Sequence, residues 1–435
     1  MKSSTYRYYL LGVLLLILAF NYVDRLALGL LLQDIKKELS LSDTQLGLLT
    51  GIAFAAFYSI MGIPIARWAD RGNRVTIIAF TSALWSVAVA ACGMAGSFLQ
   101  LLLIRVGVGV GEAGCVPPAN SLIADYFSRA ERPRAVAIYM LGSPLSVVIG
   151  YFVAGWLNEH YGWRMTFMLL GAPGLLLALL ARFSLREPRL AAGSGGVGQE
   201  QAPSPPFKQV LRTLARNPTF RHLLFFSCIV NFFGLGILQW QPAFFMRSHG
   251  VQTAELGVWL TVVYGSAALV GTLLGGSLAS RFGRHNERLQ LSAMAAAYST
   301  FGALSIGVYL TPSFPVAMGL LGIATLGGSM ALGPLYATIQ TLVPERMRAM
   351  AVAILFFFSN LIGIGLGPLA AGMLSDGLRP FLADESLRYS LLILSPGYFW
   401  GAWHLLRARK SVVADLEDAR VHGSNEATQA VHSAG

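Results

Sequence analysis

The chain has 435 residues, 55% of them hydrophobic and only 12% charged, with a formal net charge of +11. Soluble domains carry about a quarter charged residues, so this composition excludes an ordinary soluble enzyme or binding domain. Its 3 cysteines and 7 histidines include no pair at metal-ligand spacing and no disulfide framework.

Apolar runs fall at 8–32, 44–66, 75–96, 98–124, 136–157, 164–184, 220–246, 256–279, 289–310, 314–340, 350–374 and 387–406. Each is about twenty residues or longer, enough to cross a ~30 Å hydrocarbon core as a helix. An all-α membrane protein of twelve transmembrane helices is expected. The first run follows Lys2 and Arg7 as in a signal peptide. It lacks a small-residue cleavage site and continues past Asp24 and Arg25 to Leu32, so it is expected to be a retained helix.

The fourth run contains RVGVGVGEAGCVPP (105–118), in which Gly109, Gly111 and Gly114 spell G-x-G-x-x-G. That fingerprint signals a dinucleotide only between a buried strand and a soluble helix. On a membrane helix, Gly107, Gly111 and Gly114 instead form a stripe that lets a neighbouring helix come close. No Walker sequence stands elsewhere, and no cofactor is expected. Arg105, Gly109 and Glu112, at i, i+4 and i+7, share another face.

LAAGSGGVGQEQAPSPP (190–206), rich in Gly, Pro and Ser, divides the helices six and six. The expected organisation is an N-terminal half (1–186), a cytoplasmic linker (187–217), a C-terminal half (218–410) and a disordered tail (411–435). The halves echo each other. FNYVDR (20–25) lies opposite VNFFGL (230–235), WADRGNR (68–74) opposite LASRFGR (278–284), and ERPRA (131–135) answers ERMRA (345–349). Parallel six-helix repeats imply a site between halves that rock about it.

With the N-terminus inside, cytoplasmic segments hold 24 Lys and Arg against 6 outside (Lys36, Lys37, Arg164, Arg247, Arg379, Arg388), leaving Arg25 and Arg105 within the membrane. That asymmetry places both termini in the cytoplasm. It also accounts for the basic charge without a nucleic-acid partner.

Asp24, Arg105 and Glu112 each cost ~2.5–3.5 kcal/mol at the bilayer centre before pairing. Asp24 lies ~24 Å above the inner face and Arg105 ~18 Å, a gap a flexible arginine closes, so an Asp24–Arg105 pair is expected. Glu112 is then left without an obvious cation. Burial disfavours its charged form, which makes it the leading proton carrier. Arg25, ~100° around the helix from Asp24, is expected either to snorkel outward or to touch substrate. The second half offers Asn231, Phe232, Gln239, Trp240, Tyr264 and Tyr298 in place of charge. With Arg25 these form the candidate substrate cavity, charged on one wall and aromatic on the other.

ARWADRGNRV (66–75) resembles the signature after helix 2 of major facilitator superfamily transporters, keeping Asp70, Arg71 and Arg74. The second half keeps Gly276, Arg281, Gly283 and Arg284, with Ser280 in place of the acid. Within that superfamily, NYVDR (21–25), DRGNR (70–74), RVGVGVGEAG (105–114), SLIADYF (121–127) and REP (186–188) resemble the spinster-type lipid transporters. The resemblance implies two pseudo-symmetric six-helix halves and an inner-gate charge relay of Asp70, Arg71, Arg74 and Asp125. It further implies a carrier, not an enzyme, that moves a small amphipathic anionic or zwitterionic substrate with protons. Lysophospholipids and sphingosine-1-phosphate are the type. Its surroundings would be the lipids of a bacterial inner membrane, with no obligate protein partner. The alternatives are a proton-coupled symporter of small organic anions, since NYxDR with Arg and Glu on helix 4 occurs there too, and a multidrug exporter.

Overall fold

The computed structural model describes residues 4–128, 131–191, 207–282, 286–330, 332–343 and 345–433, and every regular element among them is helical. In chain order the helices begin with α1 (Ser4–Leu39), α2 (Asp43–Thr50), α3 (Ile52–Arg71), α4 (Arg74–Cys92) and α5 (Phe98–Glu112). Next come α6 (Val116–Tyr126), α7 (Arg132–Met140), α8 (Gly142–Val147), α9 (Ala154–Ser184) and α10 (Pro188–Ala191). The second half contributes α11 (Phe207–Arg216), α12 (Pro218–His249), α13 (Thr253–Phe282), α14 (Glu287–Leu310) and α15 (Phe314–Met330). It closes with α16 (Leu332–Thr341), α17 (Glu345–Asn360), α18 (Gly367–Leu382), α19 (Ser386–Leu394) and α20 (Gly397–Ser433). Residues 192–206 of the expected linker lie outside the described residues.

Local chemistry sets the boundaries. Ser42 and Gln45 form a capping box at the start of α2, with Gln45 N donating to Ser42 Oγ at 3.1 Å and Ser42 N to Gln45 Oε1 at 2.9 Å. Asn73 caps α4 by accepting from Thr76 N at 3.0 Å. Gly162, at φ 76°, breaks α9 in two, a conformation glycine adopts without penalty.

Among the described residues, 9 helical segments are long and apolar enough to cross a membrane. Two of these, Arg134–Ser184 (51 residues) and Met350–Asp418 (69 residues), have length for two crossings each, and α15 is a shorter apolar helix. Together they account for the twelve expected spans.

The chain divides into two compact units, the first made of Met1–Val197, Gly236–Gly265 and Ile364–Ser390, the second of Gly198–Leu235, Ser266–Gly363 and Leu391–Gly435. This is not the division at the linker. Unit 1 takes in two segments of the second half because backbones meet there. A Cβ on Gly47 would lie 2.6 Å from Pro368 O, one on Gly51 2.4 Å from Gly365 O, and one on Gly257 2.4 Å from Tyr151 O.

In unit 1, α4 packs between α5 and α9 around buried Trp85. The glycine stripe of α5 and the turn after it faces α4, with Gly107 toward Ala88, Gly111 toward Trp85 and Gly114 toward Thr81. These glycines serve helix packing. The fit is uneven: a Cβ on Gly111 would sit 2.7 Å from Trp85 N, whereas one on Gly107 would meet nothing nearer than 3.8 Å. Gly107→Ala is therefore expected to be neutral or slightly stabilising, gaining up to about 1 kcal/mol of helix propensity. Gly111→Ala forces backbone apart and is expected to cost about 1–3 kcal/mol. Thermal unfolding in detergent checks this; equal behaviour of the two variants would refute the packing role.

Unit 2 is built on aromatic packing. The rings of Phe301 and Tyr398 meet edge-on at 4.3 Å, those of Phe226 and Tyr298 at 4.9 Å, and Gly397 lies against the Phe233 ring. The tail expected to be disordered from residue 411 is instead helical to Ser433, continuing α20. Its first turns are docked. Val412 and Leu416 are buried, Thr219 N donates to Asp415 Oδ2 at 2.8 Å, and Thr219 and Ser411 share a hydroxyl hydrogen bond of 2.7 Å. Composition alone hides this, because the docked apolar residues Val412 and Leu416, one turn apart, stand in a segment otherwise rich in polar residues.

Candidate functional site

Consecutive residues of α1, Asp24 and Arg25, meet two residues of α5 that lie two turns apart, Arg105 and Glu112. Arg105 donates to Asp24 Oδ2 at 2.6 Å, and both side chains are 2% exposed. Depth along the two helices had placed these partners within reach. Glu112, by contrast, is not left without a cation. Arg25 Nε donates to Glu112 Oε2 at 2.8 Å, and a terminal nitrogen of Arg25 donates to the same oxygen. Of the two alternatives expected for Arg25, snorkelling outward gives way to this inward pairing.

Aromatic rings explain it. The Arg25 guanidinium lies 4.8 Å from the Tyr22 ring, 4.4 Å from Phe54 and 5.0 Å from Tyr58, and Arg105 lies 5.3 Å from Phe54. A guanidinium desolvated against π faces gains cation–π attraction that a lipid-facing one forgoes. Phe54 thus lies against both cations. α3 brings it close because Gly109 has no side chain: a Cβ there would stand 2.8 Å from Phe54 O.

The result is a crossed pair of ion pairs, two positive and two negative, in which Asp24, Arg105 and Glu112 are buried and Arg25 is nearly so. Burial of ions is tolerated only when charges and lone pairs are matched, and here the matching is incomplete. Asp24 Oδ1, Glu112 Oε1, Arg105 Nε and both polar atoms of Asn21, one turn before Asp24, have no hydrogen-bond partner among the described residues. Two acceptor oxygens without donors are places for a proton. Protonating either carboxyl would release its guanidinium to bind another anion.

The expected inner-gate residues are arranged differently from the sequence-based relay. Arg74 is fully buried, and its partners belong to unit 1. It donates to Asp125 Oδ2 at 2.6 Å and Ser121 Oγ at 2.8 Å, and to Glu187 Oε2 through its backbone N at 2.8 Å and Nε at 3.1 Å. A third bond, from a terminal nitrogen, reaches Glu187 Oε1. Glu187, absent from the expected relay, is the main anion here, and its signal was the REP tripeptide just beyond α9. Arg71 is exposed. The Asp70 side chain lies outside the described residues, as do the side chains of the second-half signature at 276 and 280–284.

The cavity candidates of the second half fall into two groups. In unit 1, Gln239 abuts Gly29, where a Cβ would lie 2.9 Å from Gln239 Oε1. Trp240 is fully buried and donates to Pro368 O at 2.9 Å, and Tyr264 stacks on Tyr151 at 5.8 Å. In unit 2, Asn231 donates to Ser227 O at 2.8 Å, Phe232 packs edge-on against Phe233, and Tyr298 is buried with its hydroxyl 3.5 Å from Gly328 O. Packing is the visible role of Trp240 and Tyr298.

Residues 14–406 match the Major Facilitator Superfamily. An MFS-type efflux pump of Mycolicibacterium smegmatis is 32% identical over 387 residues, 88% of each chain. Protein spinster homolog 1 of Homo sapiens is 27% identical over 445 residues, 95% of this chain and 82% of that one. A crystal structure of a bacterial homolog to the human lysosomal transporter spinster, inward-facing and unoccupied, superposes with a TM-score of 0.83 at 33% identity, covering 95% of this chain and 99% of that one.

Proposed function

The chain belongs to the major facilitator superfamily, as a transporter related to the spinster proteins, and from that premise we propose that it couples proton movement to transport of an amphipathic lipid-like anion or zwitterion. The observation that carries this is the crossed pair of ion pairs with one oxygen of each carboxylate lacking a donor among the described residues. A proton entering at Glu112 or Asp24 weakens one pair and frees a guanidinium already held among Tyr22, Phe54 and Tyr58. That guanidinium suits a phosphate head group, and the aromatic second half suits an acyl tail. Deprotonation restores the pair and expels the anion, so proton and substrate occupy the site in linked fashion. Alternating access follows from rocking of the six-helix halves, with Arg74, Asp125 and Glu187 stiffening the cytoplasmic end of the N-terminal half. Both termini face the cytoplasm of a bacterial inner membrane in this scheme.

The test is uptake of a radiolabelled lysophospholipid into proteoliposomes with and without an imposed pH gradient, beside Glu112→Gln. Saturable uptake driven by the gradient, and reduced at least tenfold in the variant, is the expected result. Lipid uptake indifferent to the gradient and to Glu112 would remove the coupling mechanism while leaving a carrier. The efflux-pump relative favours a second reading, the multidrug exporter. Drug counterflow in vesicles that do not move lysophospholipid would establish it.

A further inference from the structure

Far from the ion-pair lattice, unit 1 holds a second charged cluster. Gln33 stands nine residues beyond Asp24 on α1, ~13 Å along the axis. There the end of α1 meets the start of α2, the end of α12, and α18 and α19. Asp43 is clamped: Arg247 donates to its two oxygens at 2.8 and 2.7 Å, Lys36 Nζ at 2.5 Å and Ser375 Oγ at 2.7 Å. Beside this clamp opens a cavity of about 470 Å³, whose lining includes the cations Lys36, Lys37, Arg247 and Arg379 and the carboxylates Asp43 and Asp384. Asp43 is already matched by Arg247 and Lys36, so the cavity keeps a positive balance.

Two observations mark it as a built site. Gln33 lines the cavity and is 7% exposed; its Oε1 accepts from Arg247 Nε at 2.7 Å, which fixes the amide, and its Nε2 donor has no partner among the described residues. A buried donor beside several cations calls for an acceptor-only ligand. In addition, the non-glycine residues with positive φ among the described residues are Ser40 (51°) and Ala383 (46°), and both line this cavity. Strained backbone gathers at ligand clamps.

We propose that this cavity binds a phosphate-class oxyanion, taken between Lys36, Arg247 and the Gln33 amide, with Lys37 and Arg379 at its rim. Charge-assisted hydrogen bonds from several donors suit a tetrahedral oxyanion. The volume also admits a lipid head group attached to it. The phosphate comes either from solution or from a phospholipid of the adjacent leaflet. The site stands apart from the transport reading and does not depend on it.

The experiment is amine footprinting of the full chain in phosphatidylcholine nanodiscs, with acylation of Lys36 and Lys37 read by peptide mass spectrometry and exposed Lys208 as control. Inorganic phosphate is expected to slow labelling at both sites with half-protection near about 1 mM, the affinity of a few such bonds, while Lys208 is unchanged. Sodium chloride at equal ionic strength leaves labelling unaltered. Arg379→Gln, an exposed position outside the Asp43 clamp, is expected to weaken protection at least threefold, so that the result does not hang on Arg247 variants that disturb folding. Protection by inorganic phosphate assigns a soluble ligand. Protection seen only when phosphatidic acid replaces part of the phosphatidylcholine assigns a lipid head group, and either supports the site. No protection from either source, protection matched by chloride, or protection untouched by Arg379→Gln overturns it.

Discussion

Asp24→Asn is expected to destabilise the protein by about 3–5 kcal/mol and to abolish gradient-driven uptake. The substitution keeps the shape of the side chain but leaves the Arg105 guanidinium buried and unmatched. Losing one partner of a buried pair costs that much because the survivor keeps its desolvation penalty. Removing both charges tells structure from function. Asp24→Asn/Arg105→Met replaces the pair with groups of similar size and is expected to recover most of the stability, since buried pairs are seldom better than well-packed apolar residues. Uptake should not return, because a proton site and an anion site are then both gone. Thermal unfolding and proteoliposome uptake on the two variants separate the outcomes. If the double variant transports normally, the pair is a helix brace and nothing more.

The same lattice shows what could be read from the chain and what could not. Membrane class, the twelve spans and the packing role of Gly107, Gly111 and Gly114 depend on composition and helical spacing, which are local properties. The Asp24–Arg105 contact needed only depth along two straight helices. Arg25–Glu112 needed more, since it depends on where α3 sits and on the rings of Phe54 and Tyr58 that draw the guanidinium inward. A helical wheel places Arg25 ~100° from Asp24, and that angle decides nothing once neighbours lie on both sides. The same limit applies to Asp43 and Arg247, separated by 204 positions in sequence. Arg247 entered the topology count as a loop residue, yet the fold binds it to Asp43. Docking of α20 beyond Lys410 likewise depends on Thr219 waiting at the start of α12.

Arg74 offers the sharper test of stability, because its partner titrates outside the membrane-spanning segments. Burial by itself pushes the Glu187 carboxyl up, but hydrogen bonds from the Arg74 side chain and from the backbone N–H groups of Arg189 and Arg74 outweigh it and hold it below the ordinary carboxylate range. A carboxyl depressed in the folded state contributes its full stability above its unfolded value of about 4.3 and loses it as pH falls through the folded value. Unfolding temperature in detergent is therefore expected to fall as pH drops from about 5 toward 3, and to fall less steeply in Glu187→Gln, which starts lower at neutral pH. Arg74→Gln should be the more damaging change at pH 7, by about 3–5 kcal/mol, since it strands buried Glu187. Asp125 adds little to that figure, being 39% exposed and open to solvent screening. Arg74→Gln/Glu187→Gln is expected to regain part of the loss and to flatten the acid limb. Parallel pH profiles in the wild-type protein and Glu187→Gln would show that the REP carboxylate does not carry this end of the N-terminal half, and Asp125 would then be the anion that Arg74 serves.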